Sequence, residues 1–338
     1  MKAVVYRAPG IFDIASVPEP QPGPGEVLLQ VSLAGMCGTD LHIHGGGFFS
    51  AFPLTPGHEI TGVVTQTGEG VTLALGTLVA ADNTVLCGHC PPCQRDEPLF
   101  CENFYSLGVN GPGAFAEFVL VRAEKCFPVG AMDPRTAVMT EPVACAVHGT
   151  DVLDLRPGSS VLVFGAGPSG LVLSQLLLHG GAARLTVAAP TKFKLDLAAG
   201  YGADATVLLD REHPEFALDQ LRQQAPGGFD AVVDATGAAR LTGLSMEVVR
   251  NGGTVLVYGM ADEQDAIPFR PYEVFRRQLT IKGSFAQTHC FERALRLLST
   301  GRVRTDGILT HVLELKEYGR GLSLLRDDPT CLKAALAP

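Results

Sequence analysis

Apolar strand-like runs alternate with helical segments through the middle of this chain, and this alternation most constrains its fold. The predicted strands, each four or five residues long, are Ser160–Phe164, Arg184–Ala188, Ala205–Leu209, Asp230–Asp234, Thr254–Tyr258 and Leu279–Lys282. A helix is predicted between the first two strands, from about Pro168 to His179. Regular alternation of this kind predicts a doubly wound parallel sheet with right-handed crossovers.

The two ends of the chain have a different pattern of predicted secondary structure. The first 140 residues are rich in Gly and Pro and contain short strand-like runs, among them Glu26–Ala34, Ile60–Thr67 and Phe115–Val121. Short strands separated by turns predict a β-rich barrel or sandwich with long functional loops. After about Phe285 the sequence predicts helices near Phe291–Ser299 and Glu317–Leu325 and a last strand near Leu332–Ala335.

A glycine pattern lies at the first strand–helix junction, where Gly165-Ala166-Gly167-Pro168-Ser169-Gly170 has the form G-x-G-x-x-G. In a chain with 39 Gly the string alone is a weak signal, and a simple tight turn is the alternative. At this junction, however, the first Gly suits a tight turn, the second a close approach to a pyrophosphate, and the third helix–strand packing. The position therefore predicts dinucleotide contacts from Gly165, Gly167, Pro168, Ser169 and Gly170.

The segment after the second strand bears on the choice of nicotinamide cofactor. A carboxylate at this place would bind the adenosine ribose 2′-hydroxyl, but Ala188-Ala189-Pro190-Thr191-Lys192 contains neither Asp nor Glu. Without that carboxylate a 2′-phosphate meets no repulsion, so NADP is predicted over NAD, with Ala188, Thr191 and Lys192 as contacts. The segment has no Arg, and a solvated Lys in an enzyme that accepts either cofactor is the alternative.

Two further strand ends predict cofactor contacts, because ligands bind at the carboxyl edge of a parallel sheet. Thr236 follows the strand that ends at Asp234, and Tyr258 ends the next strand along the chain. Simple strand termination is the alternative at both positions.

Four cysteines, Cys87, Cys90, Cys93 and Cys101, have the spacing C-x2-C-x2-C-x7-C in a loop-like segment. Four thiolates this close in sequence suit a closed, tetrahedral structural zinc with Zn–S bonds of about 2.3 Å. Two disulfides or a redox C-x-x-C pair are the alternatives, which a reducing compartment disfavours.

A second group of residues has the donor types of a catalytic metal. Cys37 and the pair His58-Glu59 offer sulfur, nitrogen and carboxylate, a mixed set that suits a zinc with one position open for substrate. Glu141 is expected either to supply the last ligand or to lie just outside the ligands, and Asp40 to orient the His58 imidazole. Taken alone, a single Cys and His are more often packing residues.

The charge balance and the N-terminus argue against several other functions. The formal net charge is −9, and no cluster of Lys and Arg stands out, which argues against a nucleic-acid partner and an anionic membrane surface. Met1-Lys2 leads directly into a strand-like run rather than a signal peptide, and the apolar run from Leu171 to Leu178 is too short to cross a bilayer. A cytoplasmic location is expected.

Taken together, the motifs resemble a known family over essentially the whole chain. Cys37-Gly38-Thr39-Asp40, Gly57-His58-Glu59, the four-cysteine segment, Glu141-Pro142 and the glycine turn follow the order and spacing of the zinc-containing medium-chain alcohol and polyol dehydrogenases. The resemblance is closest to the sorbitol and D-arabinitol dehydrogenase branch, in which Glu141 stands where many simple alcohol dehydrogenases have a cysteine ligand.

The resemblance implies an architecture. It implies a GroES-like catalytic domain formed by residues 1–148 and 284–338, with an inserted Rossmann dinucleotide-binding domain at 149–283. It also implies a homodimer or homotetramer and hydride transfer between the two domains.

The resemblance further implies a reaction. Zinc would act as a Lewis acid on a substrate hydroxyl, Thr39 would receive the hydroxyl proton, and His42 would pass it toward solvent. The predicted function is a zinc-dependent polyol dehydrogenase that prefers NADP and acts on D-arabinitol or a similar polyol/ketose pair. A threonine-type or simple secondary-alcohol dehydrogenase and a non-catalytic cofactor-binding protein are the alternatives, and whether Glu59 or Glu141 binds zinc is left open.

Overall fold

A computed structural model of the chain describes residues 1–338. The chain forms two compact units, the first made of Met1–Ala144, Phe291–Thr300 and Thr305–Pro338, and the second of Cys145–Cys290 and Gly301–Arg304. The domain boundaries after residues 148 and 283 stay a prediction, because compactness alone does not test which segments fold independently.

The N-terminal part of the first unit consists mainly of short strands joined by turns. The strands are β1 (Lys2–Ala8), β2 (Ile11–Ser16), β3 (Glu26–Met36), β4 (Glu59–Thr67), β5 (Leu78–Ala81), β6 (Thr84–Val85), β7 (Tyr105–Ser106), β8 (Phe118–Arg122) and β9 (Cys126–Pro128). The helices of the same stretch are α1 (Gly38–His44), α2 (Pro91–Gln94) and α3 (Pro134–Ala137), and α4 (Thr140–Leu153) begins here and continues into the second unit.

The second unit alternates strands and helices. Its strands are β10 (Ser160–Phe164), β11 (Arg184–Ala189), β12 (Ala205–Leu208), β13 (Phe229–Asp234), β14 (Val249–Val257) and β15 (Thr280–Gly283). Its helices are α5 (Pro168–His179), α6 (Lys192–Gly200), α7 (Leu218–Gln224), α8 (Ala239–Val248) and α9 (Pro271–Arg277). All six strands are parallel, in the order β12-β11-β10-β13-β14-β15, so the predicted doubly wound sheet is confirmed.

The C-terminal tail returns to the first unit with α10 (Phe291–Ser299), β16 (Leu309–Glu314), α11 (Tyr318–Asp327) and β17 (Lys333–Ala337). Its strands complete a sheet in the order β16-β17-β3-β4-β5-β9, with β8 also paired to β3. The last strand therefore lies antiparallel to β3, and Ala335 stands opposite Gly35. Short 3₁₀ helices occur at Pro98–Phe100, Ala123–Lys125, Pro214–Ala217 and Leu315–Glu317.

Each unit has its own hydrophobic core. In the first unit, Tyr6, Phe115 and Tyr318 are fully buried and pack against one another with apolar residues of the large sheet. In the second unit the central strands β10 and β13 are buried along almost their whole length, as expected where helices cover both faces of a parallel sheet. None of the helices has both the length and the apolar content needed to cross a membrane.

Candidate metal and cofactor sites

The four-cysteine segment, Cys87 to Cys101, brings its sulfur atoms together. The four Sγ atoms all lie within 4.8 Å of one another, and those of Cys90 and Cys101 are 3.8 Å apart. A tetrahedral zinc with Zn–S bonds of about 2.3 Å requires sulfur separations of about 3.8 Å. A disulfide needs about 2.05 Å, and none of the nine cysteines forms a disulfide, so the arrangement fits a zinc and not a pair of disulfides.

Two cysteines of this segment have strongly displaced pKa values. The backbone N–H of His89, assisted by that of Cys90, outweighs desolvation and lowers the pKa of Cys87 to about 5. Desolvation, followed by the interaction with Cys90, raises the pKa of Cys93 to about 12. Cys87 is therefore a thiolate at neutral pH and offers a metal its first anionic ligand.

Cys37, His58 and Glu59, called here the Cys37 group, also converge. One ligand atom from each lies within 4.8 Å of the others, and Cys37 Sγ is 3.2 Å from His58 Nε2. Cys37 is the N-cap residue of α1, where its sulfur accepts the Thr39 N–H and the Asp40 carboxylate accepts the Cys37 N–H. The helix start thus holds the sulfur in place, and the mixed donor set fits a zinc with an open position.

A buried lysine that the sequence analysis did not identify stands beside this group. Lys333 Nζ lies 2.7 Å from both carboxylate oxygens of Glu59 and donates to the Met36 carbonyl at 3.2 Å. Both side chains of the pair are only 2% exposed. The one sequence signal for its burial is that this Lys lies in the otherwise apolar run of β17.

Three neighbouring strands position this ion pair. Glu59 begins β4 opposite Gly35 of β3, and β17 brings Lys333 to the other side of β3. A Cβ added to Gly35 would lie 1.9 Å from Glu59 Oε2, so a side chain at position 35 would collide with the carboxylate. Glycine at this position is what allows the Glu59 side chain to lie across β3.

Acidic groups dominate the electrostatics around His58. Burial opposes its protonation, but the Cys37 sulfur and then the Asp40 and Glu141 carboxylates raise its pKa well above the usual value. Glu141 therefore acts on the group through its charge, although its carboxylate is not among the donors that cluster within 4.8 Å. The surplus of negative charge favours a bound cation.

Asp40 faces His58 without a hydrogen bond to it. Their closest polar atoms, Asp40 Oδ1 and His58 Nδ1, are 3.9 Å apart, and both are buried with no hydrogen-bond partner. Burial raises the pKa of Asp40 to about 6, partly offset by His58. Thr39 and His42, the predicted proton-relay pair, are both half-buried and lie three residues apart on one side of α1.

The predicted dinucleotide turn has the expected form. Gly165 has φ +105°, and a Cβ on Gly170 would lie 2.1 Å from the Gly165 carbonyl oxygen, so both positions need glycine. A Cβ on Gly167 would meet nothing within 4 Å, which leaves open space in front of the α5 N-terminus. Pro168 and Ser169 begin that helix, where N–H groups without intrahelical partners suit a pyrophosphate.

The ends of β11 and β12 bring an arginine beside the Thr191–Lys192 segment, which has none of its own. Arg211 Nη2 donates to the Thr191 hydroxyl at 3.3 Å, although the two residues are 20 positions apart in the chain. Lys192 instead pairs with Asp196 one turn along α6. The segment itself has no Arg, but parallel pairing of the two strands aligns their carboxyl ends and brings Arg211 beside it.

The other two predicted cofactor residues are firmly held. The Thr236 hydroxyl donates to the fully buried Asp234 at 2.6 Å, and its methyl group lies 2.9 Å from where a Cβ on Gly165 would be. Thr236 therefore adjoins the dinucleotide turn. Tyr258 follows β14 and packs its ring against Gly149, where an added Cβ would lie 2.8 Å from the ring.

Comparison with known families accounts for most of the chain. Residues 23–131 match the model of the alcohol dehydrogenase GroES-like domain, and residues 168–300 match the model of the zinc-binding dehydrogenases. These matches confirm the predicted combination of a GroES-like part and a Rossmann-type part.

Two curated relatives extend along the full chain. D-arabinitol dehydrogenase 1 of Uromyces fabae is 43% identical over 100% of this chain and 97% of its own length. D-altritol 5-dehydrogenase of Agrobacterium fabrum (strain C58) is 32% identical over 100% of this chain and 99% of its own length.

Solved structures include similar proteins with either cofactor. A protein of Sinorhizobium meliloti 1021, described as a zinc-binding dehydrogenase and bound to NADP, has a TM-score of 0.93 and 32% identity, covering 100% of this chain and 99% of that one. The alcohol dehydrogenase rspB of E. coli CFT073, complexed with NADH, has a TM-score of 0.91 and 28% identity with the same coverage.

Proposed function

Because this chain belongs to the zinc-binding alcohol dehydrogenases and carries their GroES-like domain, we propose that it interconverts a polyol and a ketose, with NADP preferred over NAD. D-arabinitol or a close relative is the proposed substrate. The observation that carries the proposal is the compact Cys37 group, in a chain that is 43% identical along its whole length to a D-arabinitol dehydrogenase.

The Cys37 group provides the reaction centre of this proposal. Cys37 and His58 would hold a zinc ion, and either Glu59 or Glu141 would complete its ligands. A zinc bound there would supply Lewis acidity that lowers the pKa of a substrate hydroxyl. Thr39 accepts the hydroxyl proton and His42 passes it to solvent. The Asp40 carboxylate faces the far nitrogen of His58 and acts on the ring through its charge, from the place that carboxylates just outside a metal's ligands occupy.

The remaining predicted residues bind the cofactor or stabilise the fold. The turn from Gly165 to Gly170 receives the pyrophosphate, and Thr236 and Tyr258 contact the cofactor at the carboxyl edge of the sheet. A bound nicotinamide would supply the hydride chemistry, which belongs to the cofactor. The four-cysteine segment would hold a second zinc with all four positions filled by thiolates. A cytoplasmic homodimer or homotetramer is part of the same proposal, and analytical ultracentrifugation tests the oligomeric state.

Reduced-nucleotide formation with a substrate panel tests the proposal. The panel contains D-arabinitol, D-sorbitol, L-threonine and 2-butanol, each offered to zinc-loaded protein with NADP⁺ or NAD⁺, and the Cys37→Ser variant is the control. The expected result is turnover of a polyol, faster with NADP⁺, that depends on Cys37. Turnover of L-threonine or 2-butanol alone would replace the substrate class, and faster turnover with NAD⁺ would overturn the cofactor preference.

A further inference from the structure

The carboxyl ends of β11 and β12 form a small surface beside the dinucleotide turn. β11 pairs with β10, with Ala188 opposite Phe164, and the Gly165 N–H donates to the Ala188 carbonyl at 2.8 Å. In this fold the adenosine ribose of a dinucleotide lies at the end of the second strand. Residues just beyond Ala189 are therefore placed to contact the ribose 2′ position.

Arg211 is the basic residue that the fold brings to this surface. β12 pairs with β11, with Leu208 opposite Ala189, so residues that follow the two strands lie side by side. The Arg211 side chain is exposed, and its guanidinium donates to the Thr191 hydroxyl at 3.3 Å. The Thr191 hydroxyl oxygen is the acceptor in this bond, so its own proton stays available for a further acceptor.

The charge of Arg211 is uncompensated, unlike that of its neighbours. No carboxylate pairs with its guanidinium, whereas Lys192 pairs with Asp196 and Arg240 with Glu215. A cation without a partner gains more from an incoming dianion than one already in an ion pair. The planar guanidinium can also bind a phosphate through two parallel hydrogen bonds, which an ammonium cannot.

Asp210, the carboxylate nearest to Arg211 in sequence, does not form an ion pair with it. Its Oδ1 accepts the backbone N–H groups of Glu212 and His213, both at 2.8 Å. These bonds fix the turn that presents Arg211 and occupy the carboxylate with its own loop.

We propose that Arg211, held beside the Thr191 hydroxyl, binds the 2′-phosphate of NADP and determines the preference for NADP over NAD. Lys192, the residue expected from the sequence, contributes less because Asp196 already neutralises it. This inference rests on the cofactor preference in the proposed function and names the residue that produces it.

Calorimetric titration of full-length, zinc-loaded protein tests the assignment without any turnover. NADP⁺, NAD⁺ and 2′,5′-ADP are titrated into wild type, Arg211→Gln, Lys192→Gln and Arg222→Gln. Arg222 is a matched control, an exposed arginine on α7 that pairs with Asp219. Losing a charged hydrogen-bonding group should weaken NADP⁺ and 2′,5′-ADP binding about 10- to 100-fold in Arg211→Gln. NAD⁺ binding should change less than about twofold, and Arg222→Gln should match wild type.

The other outcomes separate this inference from the proposed function. If wild type prefers NADP⁺ and Arg211→Gln keeps the same ratio of affinities, the Arg211 assignment is wrong and the cofactor preference stands. A larger loss in Lys192→Gln than in Arg211→Gln would transfer the role to Lys192. If wild type binds both cofactors equally, the cofactor preference itself fails and the assignment with it. Arg211→Lys keeps the charge without the planar fork, and an intermediate affinity is expected.

Discussion

The two candidate metal-binding groups of this protein differ in how the chain builds them. The four-cysteine segment draws all its ligands from positions 87 to 101, so a single loop closes around the site. The Cys37 group combines the start of α1 with the start of β4, and its buried partner Lys333 comes from the C-terminal strand. The first group is a local structure, whereas the second exists only when the whole sheet has formed.

The two groups also differ in charge, which supports the separate roles proposed for them. Four thiolates carry more negative charge than the two positive charges of a zinc ion, so a zinc bound to all four does not attract a further anion. In the Cys37 group, Lys333 neutralises the Glu59 carboxylate, so a bound zinc keeps more of its positive charge. An electron-poor zinc with an open position polarises a hydroxyl, and a saturated one only holds a loop together.

Serine substitutions in each group should separate catalysis from stability most strongly. Cys37→Ser should reduce turnover by at least about 10³-fold, because Lewis-acid stabilisation of several kcal/mol is lost, while the melting temperature changes little. Cys101→Ser should instead destabilise the protein, because it removes one of four ligands from a closed site. Initial rates and thermal unfolding of zinc-loaded protein measure both effects.

Cys126→Ser is the matched control for this pair, since Cys126 is a buried cysteine outside both groups. It should leave zinc content at its wild-type value. Equal losses of melting temperature in Cys37→Ser and Cys101→Ser would refute the division between a catalytic and a structural site.

Removing the buried lysine should reveal how the Cys37 group depends on long-range packing. Lys333→Met leaves the Glu59 carboxylate buried without its cation, a change that costs about 3–5 kcal/mol of unfolding free energy in proteins. A bound zinc supplies a substitute positive charge beside Glu59. The loss measured by denaturant unfolding should therefore be larger in zinc-depleted protein than in zinc-loaded protein.

The double variant Glu59→Gln/Lys333→Met sharpens that experiment. Once both charges are gone, the uncompensated carboxylate no longer exists, so the double variant should unfold at higher denaturant than Lys333→Met alone. If the two variants were equally unstable, packing of the lysine stem rather than its charge would explain the loss.

The sequence predicted the local elements, the parallel sheet and, through the family resemblance, the Cys37 group, but it did not predict the contacts made by Lys333 and Arg211. β10, α5 and α10 have the bounds expected from apolar runs and turn residues, because periodicity and punctuation are local signals. Helix α4 was not predicted, since Pro142 near its start resembles a loop although proline is tolerated in a first turn. Lys333 and Arg211 reach their sites only through pairing of distant strands, and no spacing in the sequence encodes those contacts.

Asp40→Asn should weaken zinc binding by the Cys37 group, with a smaller effect than the substitutions above, and leave zinc binding by the four-cysteine segment unchanged. The amide oxygen can still accept the Cys37 N–H and preserve the cap of α1, but the charge that faces His58 is lost. Changing a carboxylate just outside a metal's ligands typically costs 10- to 100-fold in metal affinity or activity. Competition with a chelator should show one weakened zinc and one unaffected zinc per chain; weakening of both would contradict the separation.

The smallest expected effect concerns the four-cysteine segment alone and requires no enzymatic activity. The pKa of Cys87 is lowered to about 5 and that of Cys93 is raised to about 12, so at pH 7 only Cys87 of this pair is a thiolate. Iodoacetamide should therefore modify Cys87 of zinc-depleted protein at least about tenfold faster than Cys93, even though a low pKa weakens a nucleophile. Because the folded pKa of Cys87 is depressed, its reaction rate should stay level as the pH falls from 8 to 6 and drop only below about 5. Peptide mass spectrometry resolves the two sites. Equal modification of both cysteines at pH 7 would mean that the His89 and Cys90 N–H groups do not stabilise the Cys87 thiolate.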